Sequence, residues 1–435
     1  MHRIVVVGGG AGGIELATRL GDKLGKSRKA HITLIDRCAT HIWKPLLHEV
    51  ATGVLDTHLH EIEYAAQARW HHFDFVQGEM IDVSRSARRV VLAAVVDEDA
   101  PDREILPERG IEYDTLVLAL GSRTHFFGVK GAAEHAVTLD TVEQADRLRR
   151  KLLETCVRTR VRGEAGDREG ARIVIVGAGA TGVELASELR KMETELRRFR
   201  LHSSDPGSTI HVTLVEASPR ILPALPAEVS QSASALLGNL GIDVRTGDRI
   251  VEVREHEVHM HDGQVVPSDM TIWAAGITAP KVLSTLDGLA VNNINQVKVT
   301  PALRSETDEN VFAFGDCASC SWDNGKIVPP RAQAAHQQAV FLANALRLRV
   351  LGRPIGEFRY SDYGSLVSLG PASAVGSLRG RTAGRGIFVR GLFADFLYAS
   401  LYRKHLAAVS GWRKMAMTVA VHALRRFTSP RVKLH

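Results

Sequence analysis

The chain has 435 residues, of which 45% are hydrophobic and 24% charged, and its formal net charge is +6. This composition excludes a disordered or fibrous protein, and the length is sufficient for two or three domains with cores of their own. The four cysteines are too few and too scattered for the disulfide framework of a small secreted domain; they are Cys38, Cys156, Cys317 and Cys320.

The first predicted element is a strand that runs through a glycine-rich turn into a helix, and the chain contains it twice. Residues 3–17 read RIVVVGGGAGGIELA and residues 172–186 read RIVIVGAGATGVELA, with eleven of the fifteen positions identical. The GxGxxG glycines permit the tight turn, the approach of a pyrophosphate and close helix packing. The helix N-terminus then favours the phosphate charge. The glycines are Gly8, Gly10 and Gly13 in the first copy and Gly177, Gly179 and Gly182 in the second.

The strand that follows each glycine motif ends in an acidic residue. ITLID ends at Asp36, and VTLVE ends at Glu216. In dinucleotide-binding folds such an acid accepts hydrogen bonds from a ribose. Two acids at matching places therefore predict two dinucleotide sites. Because a carboxylate repels a 2′-phosphate, we expect the second site to prefer NADH to NADPH.

Three further motifs each combine a buried strand with a turn of small residues. They are DTLVLALGS (114–122), DMTIWAAG (269–276) and ENVFAFGDCA (309–318), the last of which ends its strand at Gly315 and Asp316. With the two glycine motifs, they resemble the two-dinucleotide-domain flavoprotein reductases. This resemblance implies that the first glycine motif holds FAD, that the second holds NAD(P)H, and that Asp316 meets the ribityl chain of the flavin.

The cysteines separate members of that group. Disulfide reductases of this architecture keep a redox cysteine pair shortly after the first nucleotide unit, where this chain reads HIWKPLLHEVATG (41–53) without one. Cys317 and Cys320 have the spacing of a metal or redox pair, but no second pair or histidine cluster of zinc spacing accompanies them. We predict no metal site and interpret these cysteines as structural or incidental. Electrons then need another acceptor.

The next predicted helix indicates that acceptor. Residues 329–346, PPRAQAAHQQAVFLANAL, carry two amides, Gln333 and Gln337, one turn apart after a proline pair. The stretch resembles the type II NADH:quinone oxidoreductases. So do WKPLLHEVATG, GATGVELASEL, TLVEASPRILPALP, WAAGI, GDCASC, YGSLVSLG and the ending LYRKHLA…SPRVKLH, which together span most of the chain.

The resemblance implies the roles of individual residues. Gln333 and Gln337 are expected beside the isoalloxazine, bordering the quinone, and Glu184 near the nicotinamide. Glu15, at the matching place in the first repeat, is interpreted as a surface or helix-dipole carboxylate. The residues expected to hold FAD, bound non-covalently, and NADH are Gly8, Gly10, Ala11, Gly12, Gly13, Asp36, Lys44, Pro45, Ala119, Gly121, Gly177, Gly179, Ala180, Thr181, Gly182, Glu184, Glu216, Ala275, Gly276, Gly315, Asp316, Ala332 and Gln333.

The predicted fold class is α/β, with two nested Rossmann-like dinucleotide-binding domains and a C-terminal membrane-associating region. The FAD-binding domain is predicted over residues 1–125 and 290–350, the NADH-binding domain over 126–289 between them, and the C-terminal domain over 351–435. Because Arg3 already begins the first strand, we expect no signal or transit peptide, and we expect the protein to act on the side where it is made.

The C-terminal region differs in charge from the rest. Residues 385–435 contain ten lysines and arginines and one acid, Asp395, so this segment is +9 and the remainder −3. Aromatic and aliphatic residues alternate with the cations, which is typical of a helix lying in a membrane interface. Its apolar runs are shorter than the ~18 residues that a membrane span needs. A soluble cap, a homodimer face and a nucleic-acid surface are the alternatives, and nothing else in the sequence favours nucleic acid.

The resemblance implies an enzyme that passes a hydride from NADH to FAD and two electrons to a membrane quinone without pumping protons. We expect it at the cytoplasmic face of the cell inner membrane, as a peripheral protein. A sulfide:quinone oxidoreductase that uses Cys156 with Cys317 or Cys320 is the alternative enzyme. A nucleotide-sensing redox switch is the non-enzymatic one. The sequence does not distinguish ubiquinone from menaquinone.

Overall fold

The computed structural model describes residues 1–97, 99–100, 102–164, 170–198, 210–322, 325–370, 374–378 and 387–425. The strands are β1 (His2–Val7), β2 (Ala30–Asp36), β3 (Thr40–His41), β4 (Ile62–Glu63), β5 (Asp74–Gln77), β6 (Met80–Ser84), β7 (Arg89–Leu92), β8 (Val95–Val96), β9 (Glu104–Leu106), β10 (Arg109–Glu112), β11 (Thr115–Leu118), β12 (Arg123–Thr124), β13 (Ala136–Val137), β14 (Ala171–Val176), β15 (Ile210–Glu216), β16 (Asp243–Thr246), β17 (Ile250–Val253), β18 (Glu257–Met260), β19 (Val265–Pro267), β20 (Met270–Trp273), β21 (Ile277–Thr278), β22 (Val297–Val299), β23 (Val311–Ala313), β24 (Ala318–Trp322), β25 (Lys326–Ile327), β26 (Gly364–Ser368), β27 (Ala374–Leu378) and β28 (Ile387–Arg390). The α-helices are α1 (Ala11–Leu20), α2 (Leu47–Ala51), α3 (Thr57–His60), α4 (Tyr64–His71), α5 (Ala132–His135), α6 (Val142–Glu164), α7 (Ala180–Arg198), α8 (Ala227–Asn239), α9 (Ala332–Val350), α10 (Leu392–Ser410) and α11 (Trp412–Arg425).

Two parallel five-stranded sheets form the centres of two similar units. The first has the order β23-β11-β1-β2-β5, and the second has the order β13-β20-β14-β15-β16. The central strands β1 and β14 are continuous apolar runs because helices cover parallel sheets on both faces. From Ile4 to Val7 every side chain of β1 is buried. The structure confirms the two Rossmann-like units.

The second unit is inserted into the sequence of the first, as the edge strands β23 and β13 show. In the first sheet β23 pairs with β11, although the whole second unit lies between them in sequence. In the second sheet the corresponding strand, β13, precedes β14 and pairs with β20. The two crossing segments meet as the antiparallel pair β12 and β21, Arg123 opposite Thr278. Ala279, Leu283, Leu286 and Leu289, just before the predicted boundary at 289, pack in the core of the first unit.

The C-terminal segment packs on both units. Its antiparallel sheet, β26-β27-β28, is followed by α10 and α11. Val367 and Val375 of this sheet, with Leu369 just after β26, belong to the core of the second unit, whereas Leu406 and Val409 of α10 belong to the core of the first. No helix among the described residues is long and apolar enough to cross a membrane. Arg426, Arg431, Lys433 and the terminal SPRVKLH stretch lie outside the described residues.

Candidate active site

The two glycine motifs adopt the same backbone conformation. Gly8 and Gly177 have φ angles of +104° and +99°, which only glycine adopts without strain. A Cβ on Gly13 would overlap the carbonyl oxygen of Gly8, and one on Gly182 would overlap that of Gly177. Each helix therefore packs directly against its own turn.

The middle glycine of each motif faces open space. A Cβ built on Gly10 or on Gly179 has no neighbouring atom within 4 Å. No side chain caps the N-terminus of α1, and the first amides of a helix have no partner within the helix. Ala11 and Gly12 lie in this first turn of α1, as Ala180 and Thr181 do in α7. Both turns therefore present backbone donors to an anion.

The acids at the strand ends hold the turns through the same two contacts. Asp36 accepts hydrogen bonds from the amides of Gly9, at 2.6 Å, and Cys38, at 2.8 Å. Glu216 accepts them from the amides of Ala178, at 2.9 Å, and Ser218, at 2.8 Å. Burial raises the pKa of Asp36. Each carboxylate oxygen keeps a further lone pair for a ribose hydroxyl.

A cavity of about 480 Å³ lies next to the end of β15, close to Glu216. Arg220 is one of its lining residues, and its guanidinium donates to the carbonyls of Leu222 at 3.2 Å and Pro223 at 2.8 Å. Thr246, another lining residue, is paired with Glu216 between β15 and β16. The cavity therefore lies against the strand that pairs with the end of β15.

The carboxyl ends of β11 and β23 bring together the predicted residues of the first unit. The hydroxyl of Ser122 donates to Asp316 at 2.8 Å, and Lys44 Nζ donates to the Ser122 carbonyl at 2.9 Å. Burial raises the pKa of Asp316. Ala119 is buried, Gly121 adopts a positive φ of +66°, and Pro45 follows Lys44 in a short 3-10 turn. The strand topology thus places distant motifs at one edge.

The two predicted glutamines of α9 bind the segment that leads into the C-terminal sheet. Gln333 Nε2 donates to the Gly364 carbonyl at 2.9 Å. Gln337 makes a two-way pair with Ser361, donating to its carbonyl at 2.8 Å and accepting from its amide at 3.0 Å. Sequence reasoning missed Gln338, which accepts from the amide of Gly315 at 2.8 Å. Its position one residue after Gln337 carried no signal that distinguished it.

Glu184 lies in a buried polar cluster between α7, α2 and α10. It accepts from the amide of Ser368 at 3.1 Å, hydrogen-bonds the Tyr398 hydroxyl, and lies 3.6 Å from His48 Nδ1. Burial raises the pKa of Glu184 to about 8 and lowers that of His48 to about 4. The sequence pointed to Glu184, but its partners come from segments 136 and more residues away in sequence, for which the sequence carried no signal.

The interpretation of Glu15 as a surface carboxylate is wrong. Its side chain is only 1% exposed, accepts from Arg19 Nε at 2.8 Å, and lies 2.7 Å from His336 Nδ1 on α9. The helix α1 packs along α9, which buries the position that a lone helix would expose. His336 and Gln337 line a cavity of about 290 Å³ together with Val340, Phe341, Phe358 and Arg359.

The remaining predicted residues lie close to these groups. Ala332 begins α9, and Gly276, with φ at +67°, lies after Ala275 where the second unit joins the first. The four cysteines are not paired in disulfide bonds. Cys156 lies in the core of the second unit, and Cys317 and Cys320 lie in the core of the first. Burial raises the pKa of Cys156 to about 12 and of the other two to about 11.

The family model for pyridine nucleotide-disulphide oxidoreductases matches residues 2–339. The type II NADH:quinone oxidoreductase of Haemophilus influenzae is 42% identical over 447 aligned positions that cover 100% of both chains. This chain belongs to the type II NADH:quinone oxidoreductase family. A more distant member, Ndh of Mycobacterium tuberculosis, is 28% identical and covers 87% of this chain and 80% of its own.

Solved structures share the fold of this type II NADH:quinone oxidoreductase family member. NDH2 of Plasmodium falciparum in complex with NADH superposes with a TM-score of 0.82 at 19% identity, covering 99% of this chain and 100% of its own. The sulfide:quinone oxidoreductase of Aquifex aeolicus superposes with a TM-score of 0.72 at 19% identity, covering 98% and 96%. At such identities the superpositions establish the fold alone.

Proposed function

We propose that this protein is an FAD-dependent NADH:quinone oxidoreductase that does not pump protons. The observation that carries the proposal is the duplicated site, with both turns open at the middle glycine and both held by a strand-end acid. Two complete dinucleotide sites suit a resident flavin and an exchanging nicotinamide nucleotide. The relative from Haemophilus influenzae, named a type II NADH:quinone oxidoreductase, supports this assignment over the full chain.

The first unit fits FAD. The open face at Gly10 and the uncapped start of α1 suit the pyrophosphate, and Asp36 suits the adenosine ribose. Asp316, buried at the other end of the same edge, suits the ribityl chain. When bound, FAD supplies the redox chemistry, because a flavin accepts a hydride and returns electrons singly or in pairs. The residues of the first unit would bind it and orient it.

The second unit fits NADH rather than NADPH. Glu216 accepts from the amide of Ala178 in the second glycine motif and pairs in the sheet with Thr246, which lines the larger cavity, so it would meet the adenosine ribose. Its charge repels a 2′-phosphate. Arg220, the nearby cation, donates to two backbone carbonyls. The charge arrangement thus favours a free 2′-hydroxyl.

The acceptor site that we propose lies along α9. Gln333 and Gln337 tie α9 to the segment that opens the C-terminal sheet, and Gln337 also lines the smaller cavity. Three apolar and three polar side chains line that cavity, which resembles the mixed lining of small-molecule sites. A quinone head group combines an apolar ring with two carbonyl acceptors. Bulky substitution at Gln337 is expected to slow quinone reduction more than reduction of the flavin.

An anaerobic two-step experiment tests the function. NADH should bleach the absorbance of the bound flavin, and a quinone added afterwards should restore it. A protein that binds FAD but is not bleached by NADH would be a redox sensor or structural flavoprotein. Bleaching without reoxidation by quinone would require a different acceptor.

We also propose that α10 and α11 attach the protein to the cytoplasmic face of the inner membrane. Their exposed apolar side chains are Leu392, Phe393, Phe396, Leu401, Trp412, Met417, Val421 and Leu424. Cations lie between them, including Arg403, Lys404, Arg413 and Lys414. Apolar groups with interspersed cations suit an anionic bilayer surface.

Vesicle flotation tests this attachment. Replacing Phe393 and Phe396 together by serine should weaken binding to anionic vesicles by at least about 100-fold, because burial of each ring contributes about 1.5–3 kcal/mol. Both rings are exposed, so the fold should persist. Val265→Ser, on strand β19 far from α10 in sequence, is the control, because Val265 is an apolar side chain that is 47% exposed. Unchanged flotation of the double variant would exclude this face as the anchor.

The sulfide:quinone alternative has no support from the cysteine positions. Its sulfur carriers would be Cys156 with Cys317 or Cys320, and these thiols are buried in different cores. A buried thiol with a raised pKa is a poor nucleophile.

A further inference from the structure

The buried carboxylate of Glu15 and the imidazole of His336 form a pair outside the predicted site. Glu15 Oε2 lies 2.7 Å from His336 Nδ1, and Glu15 Oε1 accepts from Arg19. When Glu15 is ionised it can only accept hydrogen bonds, so this contact requires the proton of the pair on Nδ1 of His336. This leaves Nε2 as the second nitrogen of a ring whose orientation is held by α1.

The ring lies at the edge of the smaller cavity. Its side chain is 26% exposed, and its neighbour Ala335 packs against Gly12 of the first glycine motif. His336 therefore joins the wall of the proposed quinone cavity to the helix that begins at the FAD pyrophosphate site. Such a position can exchange protons with solvent and still contact a bound ligand.

The charged and titratable groups around His336 come from three elements. Glu15 and Arg19 face it from α1, and Arg359 shares the cavity wall. From α10, His405 lies near enough to interact with it electrostatically, and His405 Nε2 lies 2.9 Å from that of His41. Burial lowers the pKa of both His405 and His41, which favours their neutral forms. Glu15 is therefore the carboxylate placed to offset the positive charge of an imidazolium at His336 during the reaction.

The reaction itself requires a proton donor. NADH, quinone and one proton give NAD⁺ and quinol, so the hydride of NADH supplies two electrons while two O–H bonds form on the quinone. One of the two protons must come from the protein or the solvent. We propose that His336, positioned by Glu15, donates this proton from Nε2 to a quinone carbonyl oxygen as the electrons arrive. The N–H bond breaks, the O–H bond forms, and the ring is reprotonated from solvent at the cavity mouth.

This inference rests on the proposed quinone reductase function, and it deepens that function. It assigns a catalytic residue, His336, and a positioning residue, Glu15. It also gives the extended motif GxGxxGxE a separate purpose in each repeat. In the first repeat the glutamate orients a histidine at the cavity, whereas in the second it joins α10.

Stopped-flow half-reactions on the flavin-loaded full chain test it. For His336→Gln we expect reoxidation by a short-chain quinone to slow on the order of 100-fold, the contribution typical of general acid catalysis. Reoxidation by ferricyanide, which takes electrons without protons, should remain within about twofold of the unmodified protein, as should reduction by NADH. Glu15→Gln should slow the quinone step in the same direction but less. His256→Gln, on the exposed turn before β18, is the control.

Chemical rescue separates a proton donor from a packing residue. In His336→Ala, added imidazole should restore quinone reoxidation in a concentration-dependent way and leave the ferricyanide rate unchanged. This variant keeps the inference testable even if Glu15→Gln does not fold. Equal slowing with quinone and ferricyanide, or no rescue by imidazole, would overturn it.

The two levels of failure are distinguishable. If the unmodified protein reduces ferricyanide but no quinone, the proposed acceptor is wrong and the role of His336 falls with it. If the unmodified protein reduces quinone and His336→Gln does so equally fast, only the proton-donor inference is wrong.

Discussion

The two nucleotide units of this protein are alike in the contacts between residues that are close in sequence. They differ in the contacts between residues that are far apart in sequence. Each has the same turn, the same overlap at the third glycine and the same pair of amides on its strand-end acid. Both units carry a glutamate two residues after that glycine, but its side chain has a different partner in each. Glu15 meets His336 on α9, whereas Glu184 meets Tyr398 on α10. The duplicated glycine motif thus has a different role in each unit, and the segments that pack against it determine that role.

Adding a methyl group at the third glycine of each motif should distinguish the functions of the two units by the largest expected effect. Gly13→Ala would force a Cβ into the Gly8 carbonyl, and Gly182→Ala would do the same at Gly177. Overpacking of this kind costs up to about 3 kcal/mol, or about 100-fold in binding. We expect Gly13→Ala to lose FAD, and Gly182→Ala to keep FAD but lose reduction by NADH. Flavin absorbance and stopped-flow bleaching measure the two effects, and loss of FAD in both variants would mean that the units are not independent.

Removing the charge of each strand-end acid tests whether the acids act on different nucleotides. Glu216→Gln should lower kcat/KM for NADH about 10- to 100-fold, because a hydrogen bond to a charged group contributes about 1.5–3 kcal/mol. It should also reduce the preference for NADH over NADPH. Steady-state kinetics with both nucleotides measures this. Asp36→Asn is the matched variant, expected to weaken FAD binding and leave the nucleotide preference of the loaded enzyme unchanged.

The buried carboxyl of the second repeat predicts a pH-dependent stability. Because the pKa of Glu184 rises to about 8 in the folded state, its contribution is complete below the unfolded pKa and is lost as pH rises through 8. The lowered pKa of His48 makes the folded state less stable as pH falls, but only below about pH 6.5, the pKa of an unfolded histidine. Between pH 6.5 and 8, the unmodified protein should therefore lose about 2 kcal/mol more stability than Glu184→Gln. Urea unfolding at both pH values measures the difference, and parallel losses would place the ionised carboxylate in a more polar environment than the contacts indicate.

The smallest effect is expected at the three buried cysteines, one of which lies in the second core and two in the first. Cys156→Ala and Cys320→Ala should each leave NADH-dependent quinone reduction within about twofold, and should cost about 1 kcal/mol of stability for the lost packing. Turnover assays and thermal unfolding check this. A variant that folds but loses activity would revive a redox role for that thiol.

The sequence by itself determined the elements that depend on neighbouring residues. An apolar run, three spaced glycines and a helical pattern predict strand, turn and helix because each requirement is met within fifteen residues. The resemblance to known flavoproteins added the assignment of FAD to the first glycine motif and NADH to the second. It also indicated the helix that carries Gln333 and Gln337. The strand topology then brought Ser122 and Asp316 together, as expected for residues at the carboxyl ends of adjacent parallel strands.

Only the tertiary structure decided which side chains are buried and what they contact. Alone, α1 and α7 present Glu15 and Glu184 at equivalent positions, so the sequence could not tell an exposed carboxylate from a buried one. The packing of α1 on α9 buries Glu15 beside His336, 321 residues away in sequence, and α10 brings Tyr398 to Glu184. Such contacts depend on how whole helices are placed, and the amphipathic pattern of one helix does not specify its partner.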